Sequence, residues 1–107
     1  TPVLLITVDT GDDAVRRYLQ GLAGVSPALR RTLSALHAAL PDVKPLAEPS
    51  VELMRKCVEA DVDFQVSVAV RRYRDRVRAG RVVVVGSVLD VENVYGRGRA
   101  RLIIINV

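Results

Sequence analysis

The chain has very little of the residue types that most often carry metal and redox chemistry. Its 107 residues include one cysteine, Cys57, and one histidine, His37. A single cysteine excludes an internal disulfide framework, which argues against a small secreted scaffold and leads to the expectation of a cytoplasmic protein. Cys57 and His37 fall on different predicted helices and lack ligand-pair spacing, so the chain cannot assemble a thiolate zinc site from its own residues. Cys57 lies on an apolar helical face and reads as a small buried hydrophobe. His37, inside the amphipathic run 33–40, reads as a helix-surface or core histidine. Tryptophan is absent, and three tyrosines and one phenylalanine are too few for an interleaved platform of rings on which bases could stack. No apolar run approaches the roughly 20 residues of a membrane-spanning helix. The strand-like opening at 3–8 also lacks the basic start and long apolar stretch of a signal peptide. The chain opens on Thr1 rather than Met, so residues upstream are expected.

What is present is aliphatic. Half of the residues are apolar, with Val, Ile and Leu dominating, which suits one domain with one core and excludes a disordered chain. A domain this small buries a modest fraction of its surface and gains from oligomerising. Charge is uneven along the chain. Residues 1–65 carry nine acids and seven bases, whereas 66–107 carry three acids and nine bases, so the second half is the basic one.

The patterning predicts an α/β fold in the order β-α-α-α-β-β. Val3, Leu4, Leu5, Ile6 and Val8 form a nearly continuous apolar run of strand length. Asp9-Thr10-Gly11-Asp12 breaks it, with Gly11 for the turn and Thr10 or Asp12 to cap a helix. Val15, Tyr18, Leu19 and Leu22 carry that helix to a stop at Gly24. Ser26-Pro27 starts a second helix, continued by Leu29, Leu33, Leu36 and Leu40. A proline-rich loop, 41–49, follows. Residues 62–70 alternate as a strand would, yet Val58, Val62, Val66, Val70, Tyr73 and Val77 keep helical steps over a longer span. Helix is therefore expected from a Ser50 cap to a Gly80 stop. Arg81–Val91 and Arg99–Val107 read as strands joined by a turn over 92–98, with Leu102 to Ile105 buried on both faces. A helical crossover makes the first pair of strands parallel. The expectation is a small, mostly parallel sheet with an antiparallel edge strand and three helices.

Three stretches carry a family resemblance. They are Leu4-Leu5-Ile6-Thr7-Val8-Asp9-Thr10-Gly11, then Asp61-Val62-Asp63-Phe64-Gln65-Val66, then Gly80-Arg81-Val82-Val83-Val84-Val85-Gly86-Ser87-Val88-Leu89-Asp90-Val91-Glu92. In this order and spacing they resemble the C-terminal half of a β-class carbonic anhydrase, over nearly the whole chain but about half of such an enzyme. In that family the first element supplies a His and a Cys to zinc. Here those places fall on Thr7 and Thr10, and hydroxyls are poor zinc ligands. The resemblance thus implies a carbonic-anhydrase-like domain with a degenerate zinc site, either a metal-free relative or a degenerate half paired with an intact one. No catalytic residue and no metal ligand is assigned within this chain, and no cofactor is expected of it. Zinc would enter only if the missing half were supplied.

Two further features remain. Asp9, Thr10, Gly11 and Asp12 sit where open α/β sheets bind ligands, although acids there also serve as helix caps and turn makers. Arg71, Arg72, Arg74, Arg76, Arg78 and Arg81 form a basic helix. On a straight helix Arg71, Arg74 and Arg78 share one side, and 72 and 76 another. This is a candidate polyanion surface, or else a solvated face with ion pairs to acids on a partner. Gly96-Arg97-Gly98 superficially suggests a phosphate loop, but no helix follows it, and a hairpin turn is expected. The leading expectation is a non-catalytic structural or oligomerisation domain, a homodimer or larger assembly with no membrane contact. The alternatives are a carbonic anhydrase hydrating CO2 with segments from outside this chain, and a nucleic-acid-binding module using the arginine helix.

Overall fold

A computed structural model describes residues 1–21, 26–40 and 45–107 of the chain. Strand β1 (Val3–Asp9) leads into helix α1 (Asp13–Gln20) and helix α2 (Pro27–Ser34), which tightens into a 3-10 turn over Ala35–Ala38. The long helix α3 (Val51–Arg72), the short α4 (Arg74–Arg78), and strands β2 (Val83–Asp90) and β3 (Arg101–Asn106) complete the order. The fold is α/β, with four α-helices among the described residues rather than the three expected.

Local chemistry accounts for most of these boundaries. The Asp12 carboxylate accepts the Val15 amide and caps α1, and Ser50 Oγ accepts the Leu53 amide and caps α3. Helix α1 stops earlier than the expected Gly24, at Gly21, whose φ of 96° suits glycine. Leu22 and Gly24, the expected end of that helix, lie outside the described residues, as do 41–44 of the proline-rich loop. Residues 62–70 are helical, inside α3.

The helix expected to run unbroken to Gly80 bends at Tyr73, where φ is −107° and ψ 27°. No glycine or proline causes the bend. Tyr73 and Val77 turn toward the core, while like charges at 71/74, 72/76 and 74/78 disfavour a straight continuation.

The sheet order is β1-β2-β3. The β1–β2 pair is parallel, Val3 opposite Val83 through Asp9 opposite Leu89. The β2–β3 pair is antiparallel, with a register shift between Gly86 and Ser87. The sheet is therefore mixed, with one pair of each kind, rather than mostly parallel; β3 is the antiparallel edge.

Helix α3 lies across one face of this sheet. Val58, Val62 and Val66 pack on Leu4, Ile6, Val84 and Val88, and Val15 and Leu19 of α1 close the core with Met54 and Cys57. Gly86 is where helix and strand come closest. A Cβ there would stand 2.8 Å from methyl groups of both Val62 and Val66, so glycine is the residue that admits the helix.

The other face carries no helix among the described residues. Along β1 the burial alternates, leaving Val3 63% and Leu5 48% exposed. On β3, Leu102 is 47% and Ile104 51% exposed. The expectation that Leu102 to Ile105 are buried on both faces is thus corrected, because a single helical layer can cover only every second residue of each strand.

Candidate functional site

The Asp9–Asp12 turn lies at the carboxyl ends of the two parallel strands, and its polar atoms have local partners. Asp9 Oδ1 accepts the Gly11 amide at 2.8 Å. Thr10 is buried, its amide bonds the Leu89 carbonyl, and its Oγ1 accepts the Val91 amide at 3.4 Å. The adjoining crevice is lined by Thr10, Gly11, Arg16, Arg55, Glu92 and Val94, and encloses about 60 Å³. A small-molecule pocket is about 300–1,000 Å³. The crevice has room for water rather than for a substrate.

The zinc places of the resemblance can be tested against these donors. Thr7 Oγ1 shares a 2.8 Å hydrogen bond with Ser87 Oγ, on the uncovered side of the sheet. Thr10 faces the loop after β2. His37 Nδ1 is bonded to the Tyr18 hydroxyl at 2.9 Å. Cys57 is buried in the core, which pushes its thiol pKa up. Among the described residues, no three His, Cys, Asp or Glu side chains converge on one point. The described residues at these places do not fit a zinc ion.

Two buried carboxylates, Asp90 and Asp61, organise the neighbourhood; both fall in the stretches that carry the resemblance, but the sequence assigns neither a role. Asp90 at the end of β2 is fully buried and accepts the Val94 and Tyr95 amides, both at 2.8 Å. It holds the start of the β2–β3 connection, in which Gly96 and Gly98 have positive φ and join strand to strand. Tyr95, fixed in this way, donates to Glu59 Oε1 at 2.7 Å, while Arg55 donates to the same oxygen at 2.8 Å and also pairs with Glu52. Burial, then the Glu59 hydrogen bond and charge, raise the Tyr95 phenol well above its usual range. The only sequence signal for this bridge is a lone tyrosine after a strand-ending aspartate. Asp61 on α3 is 6% exposed, and Gln65 Nε2 donates to it at 3.0 Å. Its carboxyl pKa is raised, chiefly by burial, against the lowering by Gln65, with the Asp12 charge adding to the rise.

The arginines are grouped differently from the helical wheel. Arg71, Arg72, Arg74 and Arg76, with Tyr73 and Asp75, line one hollow of about 650 Å³ at the bend between α3 and α4. Arg78 is exposed but does not line it, so the bend separates it from Arg71 and Arg74 and brings Arg72 and Arg76 in.

No family model, curated protein or solved structure matches this chain. The site must therefore be read from its own chemistry.

Proposed function

We propose that this chain is a non-catalytic, carbonic-anhydrase-like α/β domain that works by assembly, pairing with a second copy through its uncovered sheet face. The observation that carries this reading is the composition of that face. Val3, Leu5, Val83, Val85, Leu89, Leu102 and Ile104 share it with the hydrogen-bonded hydroxyls of Thr7 and Ser87. Its one acidic residue, Asp9, lies at the end of the face and accepts the Gly11 amide.

Charge favours a second copy as the occupant. The chain carries a net charge of +4, so copies repel one another over most of their surface, and this charge-poor face is where that repulsion is least. Self-pairing of one patch on itself is also the commonest form of protein assembly. Three strands about 4.8 Å apart and about seven residues long present a projected area of roughly 300 Å². That is within the range of the largest apolar patches on monomers, which are often functional. Face-to-face pairing would cover roughly 600 Å² of projected area over the two copies, and more accessible surface because side chains stand out from the sheet, which places it with small, concentration-dependent interfaces. The product is a sandwich with the two sheets inside and the α3 layers outside.

The test is sedimentation equilibrium on the wild type and on Leu5→Glu and Ile104→Glu, with metal analysis and CO2 hydration measured on the same preparation. A concentration-dependent dimer in the wild type and folded monomers in both variants are expected, without activity. A wild-type monomer at all concentrations refutes the assembly reading. Stoichiometric zinc with CO2 hydration would replace it with an enzyme completed from outside this chain.

A further inference from the structure

The hollow at the α3–α4 bend has a chemistry that the assembly reading leaves unused. Six arginines occur between positions 71 and 81, and Asp75 is the only acid among them. Among the described residues, none of the six takes part in an ion pair; the pairs present involve Arg17 and Arg55. Acids of the chain itself therefore do not pair these arginines, which leaves them to solvent, to acids on a partner or to a polyanion. Four of the arginines, together with Asp75, line one open hollow of about 650 Å³ beside the non-helical Tyr73. The Arg72 guanidinium lies 5.9 Å from the centre of the Tyr73 ring, the one aromatic side chain in the hollow.

We propose that this hollow binds the phosphate backbone of single-stranded nucleic acid, without reading base sequence. Guanidinium groups match phosphate oxygens in geometry as well as charge. Four of them around one opening suit a run of phosphates better than a single inorganic phosphate, which would leave most of the volume unfilled. A lipid surface is the weaker match. A membrane-lying helix needs a broad apolar face turned outward; at this bend Val77 and Tyr73 turn toward the core, and the exposed apolar residues just before it are two valines, Val68 and Val70. With one ring available, base stacking is limited and the contact is mainly electrostatic. The site lies on the helical layer, so the proposal is independent of the sheet-face dimer.

The test is fluorescence anisotropy of a labelled oligothymidylate of about 20 nucleotides, a length that spans one or more single-strand binding sites. Affinity should fall with salt at a log–log slope of about −3, from four phosphates at roughly −0.7 each. Arg71→Ala with Arg74→Ala should weaken binding about tenfold or more at 50 mM salt and roughly halve the slope. Arg31→Ala with Lys56→Ala removes the same charge from exposed positions elsewhere and should leave the slope unchanged. Circular dichroism of both double variants checks that they are folded. Equal effects of the two double variants, or no binding at low salt, overturn the proposal. Binding to phosphatidylserine vesicles without oligonucleotide binding would overturn it too, and move the hollow to a lipid headgroup.

Discussion

Replacing Gly86 by alanine tests the central packing of the fold, and its sign is informative. In an open strand, exchanging glycine for alanine is expected to stabilise by about 0.5–1 kcal/mol, because the unfolded chain loses freedom. Here the added methyl would stand 2.8 Å from Val62 Cγ1 and from Val66 Cγ2, and 3.2 Å from Asn106 Cβ. All three neighbours are held by their own backbones, so α3 has to move off β2 or the valines have to leave their preferred rotamers. Overpacking of this kind costs about 1–3 kcal/mol. For a domain of this length, about 2 kcal/mol corresponds to a fall of roughly 9 °C in Tm. Thermal denaturation followed by far-ultraviolet circular dichroism would measure it. Repeating the exchange in a Val66→Ala background should cut the cost by about 0.5 kcal/mol or more, because one of the two clashing methyls is gone. A rise in Tm, or the same loss in both backgrounds, would refute the placement of α3 over Gly86.

Two further outcomes are expected from the buried carboxylates. Burial raises the folded-state pKa of Asp61 above its unfolded value, so the folded state binds more protons between the two, and stability falls as pH rises through that window. Asp61→Asn keeps an oxygen for Gln65 and removes the titration; its Tm should exceed the wild-type value at neutral pH, with the gap closing as pH approaches 4, and a gap independent of pH would contradict this. Asp90→Ala leaves the half-buried Val94 and Tyr95 amides without their acceptor, at about 1 kcal/mol or more for each. A Tm loss of roughly 10 °C or more is expected, together with faster exchange of those two amides; unchanged exchange would show that water replaces the carboxylate.

Much of the local structure was legible because it depends on neighbours in sequence. The helical steps from Val58 to Val77 outrun the shorter alternation at 62–70, and the structure has a helix there. Ser50 and Asp12 cap helices because a short oxygen-bearing side chain reaches the amide three residues on. The strand order around β2 follows from one helical crossover and one short connection. Nothing comparable pointed to Asp90 or to the Glu59–Tyr95 contact, because the partners meet only through a loop closing on a helix.

By itself the sequence determined the element types, most of their starts, and the inward turn of Val58, Val62 and Val66 on α3, since periodicity and capping act over one or two turns; Val70, on the same helical steps, is 37% exposed. Only the tertiary structure decided which apolar strand residues are covered. A strand such as Leu102 to Ile105 is hydrophobic at every position, so its pattern cannot say how many layers lie against it. That depends on α3, which packs on one side of the sheet and leaves Leu102 and Ile104 in the open. The arginines show the same limit. Their wheel positions assume a straight axis, and the inward turn of Tyr73 and Val77 bends that axis and regroups the side chains around one hollow.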